Sequence, residues 1–243
     1  MIKFCVRGGF SLKKYHIKEQ MSEAFLTGAI LSIVGGYFDA YTYIARGKVF
    51  ANAQTGNIVL LGVKLMEGDF LKALTYFIPI FAFVLGVFVA EYIRKVGNSK
   101  HLHWRQIIIL IEILIVAVSA FMPNGEKGFK TYDMIVNIAI SFICSLQVQS
   151  FRKIHGITCA TTMCTGNMRS FADNLVQYTD TKNKQFLKNA FKYFMINLFF
   201  IVGAVISALI TNILGEMSVI FCIVGLLAVF LLMFKKPSEN SSH

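Results

Sequence analysis

The tripeptide Thr-Gly-Asn occurs twice, at Thr55-Gly56-Asn57 and at Thr165-Gly166-Asn167, 110 positions apart in a chain of 243 residues. Such residues begin helices. A Thr or Asn side-chain oxygen serves as N-cap, and glycine lets the backbone turn tightly and approach a neighbour. The N–H groups of a first helical turn are unpaired and carry the positive end of the helix dipole, so they suit an anion or a substrate carboxylate. Arg169, two residues past Asn167, would add positive charge, and Asn52 and Gln54 extend the polar set ahead of the first tripeptide. The plainer alternative is that these small residues pack two helices, with each asparagine satisfied by its neighbours.

Asp39 is the second candidate. It follows Gly35-Gly36 in an apolar stretch, where a carboxylate is costly unless paired or wet. It could carry a proton or cation, or only pair with Arg169 or Arg46. At the 110-residue offset Asp39 matches Gln149, so a charge is absent from the second copy; Gln147 and Gln149 would line the matching position. Glu112 and Glu91 also lie in apolar runs, where long side chains reach the interface to pair with Arg94, Lys95 or Arg105. Pro79 would kink its helix. His155, Cys159 and Cys164 invite a metal or nucleophile reading, but no second histidine or cysteine pair supports it. No metal and no cofactor is expected.

The elements that must hold these residues are membrane helices. The chain is 56% hydrophobic and 15% charged, more apolar than a soluble domain. Six runs are long enough to cross a bilayer: 24–44, 71–93, 106–122, 132–151, 186–210 and 217–234. Turn signals such as Pro123-Asn124-Gly125 and Val96-Gly97-Asn98-Ser99 separate several of them. The two Thr-Gly-Asn segments are too short or too polar to span, and suit re-entrant or buried half-helices. No cleavable signal peptide is evident, and Met21 offers an alternative start ahead of the first run.

A net charge of +11 falls in clusters between apolar runs without any nucleic-acid motif, so nucleic acid is not an expected partner. Counting Lys and Arg by loop puts the richer set (the N-terminal tail, 94–105, 152–184 and Lys235-Lys236) on the cytoplasmic face, with both termini inside. Three spans per half is an odd number, so the halves must be inverted relative to each other, with the site near the midplane where they meet. The expected fold is therefore all-α: six transmembrane helices as a 3+3 inverted repeat with two half-helices. It divides into a tail 1–22, a first repeat 23–123, a second repeat 124–234 and a tail 235–243.

The residues Gly36-Tyr37-Phe38-Asp39-Ala40, followed by Asn52-Ala53-Gln54-Thr55-Gly56-Asn57, resemble the signature of the YoaK family of bacterial membrane proteins. Residues 145–165, a Gln-rich helix end before a Thr-rich stretch and Thr-Gly, resemble the second half of that pattern. The resemblance runs from about Ser22 to Phe234; the stretch 5–18 has no counterpart in it. It implies a multi-span protein of a bacterial inner membrane and brings no activity with it.

These features lead to a secondary transporter or facilitator of a small solute, with an anionic solute favoured by the helix termini. The other reading is a non-transporting protein that binds membrane lipid or a protein partner. An enzyme is not expected, because neither a nucleophile–base pair nor a metal set is present. An ATP-driven pump would need a phosphate-binding Gly-x-x-x-x-Gly-Lys-Ser/Thr loop, which the sequence lacks.

Overall fold

The structure, a computed structural model, describes residues 24–96, 103–123 and 130–234. The two tails and the turns around Ser99 and Gly125 lie outside the described residues. Eight α-helices follow in order: α1 (Phe25–Ala45), α2 (Gln54–Met66), α3 (Phe70–Val96), α4 (Trp104–Ala120), α5 (Lys130–Ser150), α6 (Cys164–Thr181), α7 (Lys184–Leu214) and α8 (Phe221–Leu232). Each apolar run becomes a helix, and the two Thr-Gly-Asn segments become α2 and α6.

Among the described residues three stretches are long and apolar enough to cross a membrane: Phe70–Val96, Thr131–Ser150 and Lys184–Leu232. The last joins two expected runs. Helix α7 continues to Leu214, and a 3-10 helix, Gly215–Ile220, leads straight into α8 without a loop. Large apolar side chains such as Phe77, Phe81, Phe88, Leu114, Ile201 and Leu209 point outward, on a scale that water does not tolerate and lipid does.

The helices interleave. Helix α1 packs on α7 and α5 on α3; α2 packs on α3 and α6 on α7; α1 touches α8, α5 touches α4, and α4 meets α8. Exchanging α1–α4 for α5–α8 leaves this pattern unchanged. The tightest crossing is between α1 and α7. A Cβ on Gly36 would fall 1.9 Å from the Phe200 carbonyl oxygen, and one on Gly203 would fall 1.9 Å from that of Ile33. Here glycine is required by backbone-to-backbone approach, so Gly36 packs α1 against its neighbour.

Hydrogen bonds define two ends of the bundle. At one end Tyr37 and Tyr41 of α1 donate to the carbonyls of Ser218 and Glu216. At the other, Arg105 at the start of α4 donates to Ser150 O at the close of α5. That second end also carries a feature that an all-α expectation omits, a hairpin of β1 (Lys153–Ile154) and β2 (Ile157–Thr158). His155 (φ 46°) and Gly156 (φ 81°) form its turn, both left-handed as a tight hairpin turn requires. Lys192 and Tyr193 of α7 hold the hairpin through His155 O and Thr158 O.

Helix α4 starts on His103, whose Nδ1 accepts the Arg105 N–H at 3.3 Å while Gln106 Oε1 accepts the His103 N–H at 2.9 Å. Desolvation of the ring, then the Arg105 charge beside it, hold its pKa below that of an ordinary histidine. The cap therefore needs the neutral ring. Its contribution is fully present above the unfolded pKa near 6.5 and is lost as pH falls below that toward the depressed folded value. Unfolding midpoints in detergent should accordingly decline from about pH 7 to 5, and His103→Asn, which keeps a capping oxygen, should flatten that decline. An unchanged slope in the variant would remove His103 as its cause.

Candidate functional site

Leu31, Gly35 and Asp39 follow one another by single turns of α1 and form one stripe. The irregular segment 46–53 folds back against it. Asp39 Oδ1 accepts the backbone N–H of Asn52 at 2.6 Å and of Ala53 at 3.4 Å. The Asn52 side chain donates Nδ2 to Gly35 O at 3.1 Å. Asp39 thus holds the backbone of the segment leading into α2, and it pairs with neither Arg46 nor Arg169.

The expected caps are absent. Ala53 and Met163 occupy the N-cap positions of α2 and α6, neither with a side-chain cap bond, and Thr55 and Thr165 are exposed. The asparagines do different work. Asn57 Nδ2 donates to Phe50 O at 2.7 Å and its Oδ1 accepts the Phe50 N–H at 3.0 Å. Asn167 Nδ2 donates to Ala160 O at 2.7 Å and its Oδ1 accepts the Cys159 S–H at 3.3 Å. Each buried asparagine clasps the backbone seven residues upstream, and Phe50 and Ala160 are themselves 110 apart. Gln54 joins the first clasp, accepting from Asn57 and donating to Ala51 O. The glycines differ: a Cβ on Gly56 would lie 2.9 Å from the Phe50 ring, whereas one on Gly166 meets nothing within 4 Å. Neither takes a left-handed conformation, so a tight turn is not what glycine provides there.

The segment ahead of α6 reaches the same stripe. A Cβ on Gly35 would lie 2.4 Å from the Thr162 methyl. Gln147 of α5 donates Nε2 to Leu31 O at 3.1 Å and to Thr161 Oγ1 at 3.3 Å. Asn52 and Thr162, 110 positions apart, therefore both meet α1 at Gly35. Several buried polar atoms here have no partner among the described residues: Asn52 Oδ1, Gln147 Oε1, Thr162 Oγ1 and both carboxyl oxygens of Glu112. The Cys144 thiol lies within electrostatic reach of both Asp39 and Glu112.

Two expected members lie elsewhere. Arg169 is exposed and, with Gly166, Ser170 and Asp173, lines an open hollow on α6. Gln149 donates to Glu91 instead of facing the position matching Asp39, and Glu91 also pairs with Arg94 at 2.5 Å. Among the described residues no group of three or more His, Cys, Asp or Glu is placed to hold a metal ion.

Arg46 is the residue that sequence reasoning undervalued. It is wholly buried. Its Nε donates to Tyr41 OH at 2.8 Å, and Nη1 donates to Pro123 O at 2.8 Å and Asp133 Oδ1 at 3.3 Å. Nη2 donates to Ser119 O at 3.3 Å and Met122 O at 2.7 Å. All five guanidinium donors are used, and Asn137 of α5 donates to the Arg46 carbonyl at 2.7 Å. One side chain thereby ties the close of α1 and α4 to the start of α5. The signal available was only a lone arginine at the end of an apolar run.

The family model described as "Protein of unknown function (DUF1275)" matches residues 27–233, which take in every element above but the first two residues of α1. The chain is also 24% identical over 186 residues to the UPF0700 transmembrane protein YoaK of Bacillus subtilis (strain 168), covering 74% of this chain and 81% of that protein. No solved structure matches. With helices apolar enough to cross a bilayer and a family match over most of its length, the chain belongs to the DUF1275 family of membrane proteins of uncharacterised function.

Proposed function

We propose that this protein is a secondary transporter or facilitator of a small solute in a bacterial inner membrane, built as six spans in two inverted halves. The observation that carries the reading is the meeting of Asn52 and Thr162, equivalent residues of the two halves, at Gly35 of α1. Interrupted segments from two inverted repeats converge in this way around the sites of known secondary transporters.

The hydrogen bonds at the two bundle ends support the alternation. The close of α1, the close of α4, the start of α5 and the 3-10 turn share one end. The close of α3 and α5, the start of α4 and the hairpin share the other. Helix α2 then leaves the centre toward the first end and α6 toward the second, which is an inversion. The charge distribution favours this: Arg94, Lys95, Arg105, Arg152, Lys153, Lys182 and Lys184 gather at the second end, against Arg46, Lys48, Lys64 and Lys72 at the first, of which Arg46 is consumed internally. The second end is therefore the cytoplasmic one. The carboxyl of Asp39 beside the segment leading into α2 weighs against an anionic solute at that point.

Purified protein in liposomes should take up a member of a panel of small organic and inorganic solutes. Single cysteines should confirm the orientation: Gly215→Cys should react with an impermeant maleimide from outside and Lys182→Cys only from inside. Reaction of Lys182→Cys from outside would overturn the six-span arrangement, and absence of any uptake would favour a lipid- or partner-binding role.

A further inference from the structure

The centre at Gly35 is rich in oxygen and poor in hydrogen. The orientations of Asn52 and Gln147 are fixed by backbone carbonyls: each amide turns its N–H toward Gly35 O or Leu31 O, which leaves Asn52 Oδ1 and Gln147 Oε1 as acceptors without donors. Thr162 Oγ1 is likewise unmatched. All three residues are at least nine-tenths buried. Asp39 places a carboxyl group beside Asn52, Glu112 is buried with neither oxygen partnered, and none of the ion pairs among the described residues involves either. Buried amide, hydroxyl and carboxyl oxygens without a donor carry a desolvation cost in a membrane interior, and a positive ligand removes it.

We propose that this centre binds a monovalent alkali cation, held by Asp39, Asn52 Oδ1, Gln147 Oε1 and Thr162 Oγ1. Hard oxygen ligands of this mixture, one carboxylate with amide and hydroxyl oxygens, match a cation without d-electron preferences. One coordinating carboxylate neutralises a single charge. The Thr162 methyl packs against Gly35, which brings Thr162 to the same turn of α1 that receives Asn52. The ligands come from α1, α5 and the segments leading into α2 and α6, so an ion here would draw the two halves together and couple its binding to their relative position. This inference builds on the transport reading of the same centre, but binding is measurable without transport.

The test uses the full chain in detergent at fixed pH, chloride and ionic strength, with choline replaced stepwise by sodium or potassium. A site filled at about a hundredfold its dissociation constant should raise the unfolding midpoint by roughly 5–10 °C in a saturable way. Thr162→Val keeps the methyl against Gly35 and removes one ligand; it should fold normally and need about tenfold more cation for the same rise. Asp39→Asn should abolish the rise. Equal midpoints in sodium, potassium and choline would overturn the proposal, as would a rise that survives unchanged in both variants. A midpoint that responds to pH alone would also overturn it. Uptake into liposomes without any cation effect sinks the ion site and leaves transport standing, whereas a cation effect without uptake does the reverse.

Discussion

Arg46→Met should be the most damaging single substitution outside the apolar core, costing about 3–5 kcal/mol. The side chain is wholly buried and spends five donors on Tyr41, Asp133 and the carbonyls of Ser119, Met122 and Pro123. Methionine fills similar space but leaves three helix-end carbonyls without these donors, and each unmatched buried acceptor carries its own penalty. For a chain of this size the unfolding midpoint in detergent should fall on the order of 10 °C. Arg46→Lys should recover only part of the loss, because an ammonium offers three donors from one point and cannot reach five acceptors arranged around a planar fork. A variant that melts within about 2 °C of the parent would show that water replaces the guanidinium, and that the network adds little.

The second large effect is steric. Gly36→Ala places a methyl 1.9 Å from the Phe200 carbonyl oxygen, and Gly203→Ala does the same at Ile33 O. Both obstacles are backbone, so no rotamer change relieves them. Helices α1 and α7 must separate, and the cost should exceed the roughly 1–3 kcal/mol of ordinary overpacking. Because either methyl alone forces the same separation, the double variant should cost less than the sum of the two. Gly62→Ala in α2 is the matched control: its Cβ meets nothing within 4 Å, and alanine in a helix interior should raise stability by about 0.5–1 kcal/mol. Thermal unfolding of the four variants separates the cases. Equal behaviour of Gly36→Ala and Gly62→Ala would mean that the α1–α7 crossing adjusts freely.

Much of the architecture was legible because it rests on local signals. Unbroken apolar runs located α3, α5 and α7, and the repeated tripeptide located the starts of α2 and α6. The duplication was readable for the same reason, since Asn57 and Asn167 keep one hydrogen-bonding task in both copies. The residues around them were misjudged wherever their role depends on distant chain. Thr55 and Thr165 look like caps, yet neither caps its helix, and the segments ahead of the helices are held by Asp39 and by the asparagine clasps. Arg169 looks like a partner for the buried centre because it follows Asn167, but it lies exposed beside Gly166 on the outer side of α6. The 110-residue offset matches Gln149 to Asp39, but its partner, Glu91, comes from α3, fifty-eight residues away. Arg46 shows the limit most clearly: its acceptors lie 73–87 residues downstream apart from Tyr41, and no local pattern announces them.

The interleaving of α1 with α7 has a consequence for biosynthesis. Helix α1 carries Thr27, Ser32, Asp39 and Thr42, all buried in the finished protein. The glycine face that packs on α7 receives its partner only when Phe200 has been made, about 160 residues later. At ordinary synthesis rates of about 5–20 residues per second, that interval is roughly 10–30 seconds. During it the glycine face of α1 must remain beside the insertion machinery or in contact with a chaperone, since the helix that packs on it has not yet been made. The ribosome thus delivers the first helix early and the helix that shelters it second to last, so the order of translation, and not the strength of any single span, sets when this protein becomes committed to the membrane.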